Sequence, residues 1–391
     1  MTGTRGNSPS RRTVPPATLP AAARERFLRL GPDGPDEMGR EMGRGPEAVA
    51  STLALLGPDS PAGGPALASA ASASRIVLVG TGASLAMVWS AAPSWRAEER
   101  RRVRPSDDGR AVSRAIVVRE STEAVFGAPD GDAFGPGDVV VAVSQSGTSP
   151  ETVAAARLAV ASGADLIAVT AHEASPLSQL SRHTVLVPID EEHGAATESE
   201  LATLAALLAL GRALPADPGT AAVLAAWLNE IVQSWPSVEP DVAALAVAGR
   251  TWVVGLGSTS GLAHAGGLLW HEKVHREAAG GSVSEFRHGQ VEAIGPGDAV
   301  LVLVPPAPSP DLEAYLALLG RELAELHATE VRLDAEALPT MPATLPVAAG
   351  LLGTLLRLQQ LGRGTAHAAG TYVDGFRVLR RVVRAAPPRF D

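Results

Sequence analysis

Residues 138–151 read DVVVAVSQSGTSPE. Five apolar residues, four of them Val, follow Asp138 and stop at Ser144. A run that is apolar at every position belongs to a strand covered on both faces. The residues after it are small and hydroxylated, and Ser149-Pro150-Glu151 opens a helix. Strand, tight polar turn and helix form the repeating unit of a parallel sheet.

The unit recurs along the chain. RIVLVG at 75–80 is a short β-branched run ended by Gly, with a helix beginning over Leu85–Pro93. Further strands are expected at Ala115–Arg119, Leu166–Thr170 and Thr184–Ile189, and further helices at Pro176–Arg182, Glu198–Leu214 and Thr220–Trp235. TWVVG at 251–255 restarts the pattern. IVLVGTGAS at 76–84 resembles WVVGLGSTS at 252–260, and GPGD at 135–138 recurs at 295–298 before AVLVLV. The fold class is α/β, with two similar doubly wound parallel-sheet subdomains and flanking helices. Residues 1–35 are expected to be a disordered N-terminal segment, apart from a short amphipathic helix near Arg24–Leu30. A second such helix is expected over Asp36–Leu56. Residues 57–74, rich in Pro, Gly, Ser and Ala, read as a linker. The first domain spans 36–240, and the second, with its C-terminal tail, spans 241–391.

The 391 residues carry a formal charge of -9. That balance argues against a nucleic-acid partner, which leaves a basic footprint. There is no cysteine, so disulfides, thiol nucleophiles and cysteine-zinc sites are excluded. No stretch offers about 18 uninterrupted apolar residues, so no membrane span is expected. Residues 1–30 lack a signal-peptide core. The expectation is a soluble cytoplasmic protein. Lys273 is the single lysine, so a lysine imine forms there, at the N-terminal amine, or nowhere.

The turn at 144–149 is the strongest candidate site. Ser144, Ser146, Thr148 and Ser149, with Thr152 beyond them, surround Gly147 at a helix N-terminus. Backbone N–H groups, the helix dipole and hydroxyls there suit a phosphate; an ordinary capped turn is the alternative. GTGAS at 80–84 is a second turn of this kind and GLGSTSG at 255–261 a third, and neither completes a dinucleotide fingerprint. HEKVH at 271–275 matches HExxH, which on a helix presents two imidazoles with Glu272 as base beside a zinc-bound water. A zinc peptidase is therefore a formal alternative, with Glu285, His288 or Glu292 as third ligand.

Taken together, these residues resemble tandem SIS (sugar isomerase) proteins: the isomerase half of glucosamine-6-phosphate synthase and stand-alone amino-sugar-phosphate isomerase/deaminases. The resemblance covers about residues 36–384. EMGRGPEAV at 41–49 looks like the lead-in helix, SQSG at 144–147 like the phosphate loop, and AAT at 195–197 like the segment near the sugar. Residues 268–278 align with the helix of the catalytic glutamate, FRHG at 286–289 with the ring-opening histidine, and DGFRVLRRV at 374–382 with the C-terminal tail.

The resemblance implies Glu272 as base, His288 as ring-opening group reaching a partner subunit in a homodimer, and Arg381 in the tail. It implies Thr81, Ser84, Ser144, Gln145, Ser146, Gly147, Ser149 and Thr197 as substrate or phosphate contacts. It implies a phosphorylated amino sugar or fructosamine as substrate, with no cofactor and no metal. The tail lysine of the family is Arg381 here, which forms no imine, and no glutamine-hydrolysing domain is expected. A non-catalytic sugar-phosphate sensor is the second reading.

Overall fold

The computed structural model describes residues 19–31, 36–102, 113–127 and 133–376. Helices α1 (Ala21–Leu30), α2 (Glu37–Leu55) and α3 (Gly63–Ser72) precede the first sheet. Then come β1 (Arg75–Gly80), α4 (Gly82–Arg102), β2 (Ala115–Glu120), α5 (Ser121–Phe126), β3 (Asp138–Val143), α6 (Pro150–Ala161), β4 (Asp165–Thr170), α7 (Pro176–Leu180) and β5 (His183–Leu186). Helices α8 (Glu198–Leu210), α9 (Pro218–Gln233) and α10 (Glu239–Ala246) lead across to the second sheet. That half contains β6 (Thr251–Gly255), α11 (Ser258–Leu269), a π-helical turn at Trp270–Val274, β7 (Ala278–Ser282), α12 (Val283–Arg287), β8 (Ala299–Leu303), α13 (Pro310–Glu325), β9 (Thr329–Leu333) and α14 (Gly350–Ala369).

The strand order is β2-β1-β3-β4-β5 in one sheet and β7-β6-β8-β9 in the other, parallel throughout. The first four strands of each half therefore share one order, as the internal repeat leads one to expect. The GPGD anchors also match in detail. Asp138 accepts the Gly135 N–H at 2.8 Å and Arg75 Nε at 2.8 Å. Asp298 accepts the Gly295 N–H at 3.0 Å and Arg250 Nε at 3.1 Å.

One expectation is corrected. The supposed linker holds α3, whose Ala66 and Ala70 are buried. Small residues alone leave no periodic signal there, so tertiary contact decides. The short helix expected near Arg24–Leu30 forms as α1, which buries Ala23, Phe27 and Leu30, and Phe27 stacks on Trp235 at 4.9 Å. The Gly-rich stretch before FRHG forms β7. A Cβ on Gly280 would lie 2.1 Å from the Ala263 carbonyl of α11, so the missing side chain permits the helix to seat on the strand.

The halves meet where α4 crosses α11. At Gly261 a Cβ would lie 2.3 Å from Ser90 Oγ and 2.5 Å from the Ala86 carbonyl oxygen, so the backbones touch. Helix α14 is buried on every side, including Arg357, Gln359, Gln360 and Arg363. Arg363 pairs with Asp36 at 2.7 Å, which fastens α14 to the start of α2. Among the described residues no helix is long and apolar enough to cross a membrane.

Candidate functional site

The turn after β3 is shaped by residues far along the chain. Gly147 has φ +63°, and a Cβ there would lie 2.1 Å from Ser175 Oγ, so only Gly fits. The Gln145 carbonyl accepts the Ala171 N–H at 2.9 Å and the Thr170 hydroxyl at 3.1 Å, tying the turn to the end of β4. Ser144 donates to Ser149 Oγ at 3.0 Å, and Thr148 donates to Ser146 Oγ at 2.9 Å.

Ser149 occupies the N-cap of α6, yet its hydroxyl caps nothing. Ser175 at α7 and Ser309 at α13 do accept an N–H of their own helices, each at 3.2 Å. The α6 N-terminus is thus left without a side-chain cap beside a cluster of hydroxyls. Uncapped N–H groups with the positive end of a helix dipole form an anion seat.

Thr81 follows β1 in the neighbouring turn. Its hydroxyl donates to Glu120 Oε1 at 3.0 Å. Sequence reasoning missed Glu120; the signal was its place at the last residue of β2, in register with Gly80. Ser84 lies half-buried in the first turn of α4.

Thr197 is fully buried, and its hydroxyl donates to Glu41 Oε2 at 3.1 Å. Its N–H bonds Glu192 Oε1 at 2.9 Å and its carbonyl accepts Gln359 Nε2 at 3.1 Å. Thr197 therefore engages protein partners through its hydroxyl, N–H and carbonyl. Glu41 also accepts the His193 N–H at 2.6 Å. Burial raises the Glu41 carboxyl to about 7 despite these donors.

Glu272 sits half-buried in the π-helical turn after α11. Such single-turn irregularities concentrate at functional sites. Burial pushes its carboxyl up, and the Lys273 ammonium pulls it back. Glu200 of α8 accepts Gln359 Nε2 at 3.1 Å, and burial raises it to about 8, with the Glu272 charge adding to the effect. Lys273 is fully buried, and its Nζ donates to the Val373 carbonyl.

His288 ends α12 and is exposed, so within this chain it faces outward. Arg381 lies outside the described residues. The HExxH reading does not survive the local backbone. The π-helical turn takes His271 and His275 off a shared α-helical face, His275 is left-handed at φ +56°, and His271 Nε2 accepts the Ala278 N–H at 3.2 Å. Among the described residues no three His, Asp or Glu side chains gather where a metal would bind.

Residues 128–213 match the family model of the SIS domain. The chain carries an SIS domain. The match spans β3, the turn after it, α6, β4, α7, β5 and all of α8. Comparison with curated protein sequences gives no significant match. Solved structures share the SIS fold over nearly their whole length. The C-terminal domain of glucosamine-fructose-6-phosphate aminotransferase from Francisella tularensis is similar at TM-score 0.70 and 18% identity, covering 87% of this chain and 98% of that one. Glucosamine-6-phosphate deaminase from Thermotoga maritima matches at 0.65 and 16%, covering 88% and 98%. Tagatose-6-phosphate ketose/aldose isomerase from Escherichia coli matches at 0.65 and 20%, covering 93% and 100%.

Proposed function

We propose that this chain binds a sugar phosphate and moves a proton between its first two carbons, releasing nitrogen from a phosphorylated amino sugar or fructosamine. The observation that carries the reading is the uncapped, hydroxyl-lined N-terminus of α6. It is accompanied by Glu272, a half-buried carboxylate with no hydrogen bond among the described residues. In this reading the phosphate takes the backbone and hydroxyl donors of Ser144–Ser149, with Thr81 and Ser84 beside it. His288, from a second copy of the chain, passes the ring-oxygen proton as the sugar opens. Arg381 serves as a fixed cation for the anionic end of the substrate.

Glu272 then removes the C2 proton of an open-chain 2-amino aldose, giving an enediol-like enolamine. Return of that proton to C1 gives an iminium at C2. Water adds there, ammonia leaves, and a ketose phosphate remains. With a fructosamine the proton leaves C1 and returns at C2, and the amine leaves C1. The substrate's own nitrogen supplies the iminium, so no lysine imine is required. This suits a chain whose one lysine is fully buried.

The test is release of ammonia or amine from a panel of 6-phosphorylated amino sugars and fructosamines. Glu272→Gln is expected to lower kcat about 10³-fold, within the range for loss of a general base, while binding persists. Thermal stabilisation by these compounds without turnover would make the protein a sensor. Neither stabilisation nor turnover would overturn the sugar-phosphate reading.

A further inference from the structure

The single lysine is spent on an internal contact. Lys273 is 0% exposed and lies one residue beyond Glu272 on the same π-helical turn. Its Nζ donates to the Val373 carbonyl and stands 5.5 Å from the centre of the Phe376 ring. Both groups belong to the tail after α14. On another side lies the loop that leads to Thr197: a Cβ on Gly194, at φ +106°, would come within 2.2 Å of Nζ. The same tail is fastened once more, by Asp374, whose Oδ1 accepts the Glu37 N–H at 2.7 Å at the start of α2.

We propose that Lys273 is a positioning residue: it clasps the tail at Val373 and Phe376 and the Gly194 loop onto the turn of Glu272, so that tail, loop and candidate base are held as one unit. Burying an ammonium is costly unless its donors are satisfied and opposite charge is near. Here the carbonyl, the ring and the carboxylates of Glu272, Glu41, Asp36 and Asp374 meet that requirement, although burial still lowers the Lys273 ammonium. The clasp stands on geometry alone. Its effect on Glu272 rests on the proposed reaction.

The composition supplies a direct probe. Only Lys273 and the N-terminal amine react with an amine-acylating reagent, so the Lys273 rate reports tail opening. In the intact protein Lys273 should label at least 100-fold slower than the N-terminus. Asp374→Ala and Phe376→Leu, which leave the lysine in place, should each raise its rate at least tenfold. Equal labelling of both amines in the intact protein, or no change in either variant, would overturn the clasp.

A second readout addresses positioning. Lys273→Met should lower kcat about tenfold with KM within twofold. It should also move the acidic limb of the pH–rate profile upward by about one unit, because Glu272 loses its adjacent cation. An unmoved limb with intact folding would overturn the link to Glu272. Absence of all turnover would count against the reaction, and the labelling result would still decide the clasp.

Discussion

The two halves use one backbone for different chemistry. After β3 the chain runs Ser144-Gln145-Ser146-Gly147-Thr148-Ser149-Pro150, and after β8 it runs Val304-Pro305-Pro306-Ala307-Pro308-Ser309-Pro310. Aligned on the GPGD anchors, Gly147 and Ala307 occupy the same place. Both are left-handed, at φ +63° and φ +53°. The shape of the turn is kept, but the second copy has replaced donors with prolines, which offer no N–H. Ser309 caps α13 while Ser149 leaves α6 uncapped. A strand order and an anchor thus specify where the turn sits, and the turn's own residues decide how many donors it offers. The second half contributes instead the π-helical turn with Glu272.

The most damaging way to break this comparison is Gly147→Ala. The new Cβ meets Ser175, and the left-handed backbone adds strain, together costing about 2–4 kcal/mol. Calorimetric titration with glucosamine 6-phosphate should show at least 100-fold weaker binding. A smaller effect comes from the carboxylates of the junction, which contrast with those of the anchors. Glu200 keeps its proton to about pH 8 when folded, against roughly 4.3 for an unperturbed glutamate. Between those values the folded state binds more protons, so its contribution to stability falls as pH rises. Urea unfolding of Glu200→Gln should therefore lose less stability than the parent between pH 5 and pH 8, by about 3–4 kcal/mol.

The anchors show the opposite sign. Hydrogen bonds from Arg75 and Arg250, with the adjoining backbone N–H groups, hold Asp138 and Asp298 below the usual aspartate range despite burial. Their contribution is present above the unfolded pKa and lost as pH falls. Asp138→Asn and Asp298→Asn should each cost about 1–2 kcal/mol by denaturant titration. Unequal costs would show that the duplicated anchors no longer bear equal strain. The smallest expected change is Ala307→Gly: relief of the left-handed strain and the added chain entropy nearly cancel, leaving a Tm shift within about 2 °C.

Much of this architecture was readable from local pattern. The first-sheet strands VVVAV and RIVLVG announce themselves by continuous apolarity, and the GPGD repeat marks the duplication. What escaped was set at long range. Helix α3 and strand β7 consist of Ala, Gly and other small residues, so close approach by neighbours rather than side-chain pattern defines them. Turn composition suggested the phosphate seat, but not that Ser149 would leave its helix uncapped. Thr197 is engaged by Glu41, which lies 156 residues away. Nothing local to Lys273 shows that it meets a carbonyl 100 residues on. Partners so distant in sequence become visible only once the chain has folded.

The crossing of α4 and α11 at Gly261 has a mechanical consequence. With no side chain between the two backbones, neither helix can slide or tilt without a collision, and the contact acts as a rigid spacer. One helix begins at the turn of Thr81, and the other ends at the turn of Glu272. The separation of these two turns is therefore built into the fold, and any local adjustment falls to the shorter connections around them.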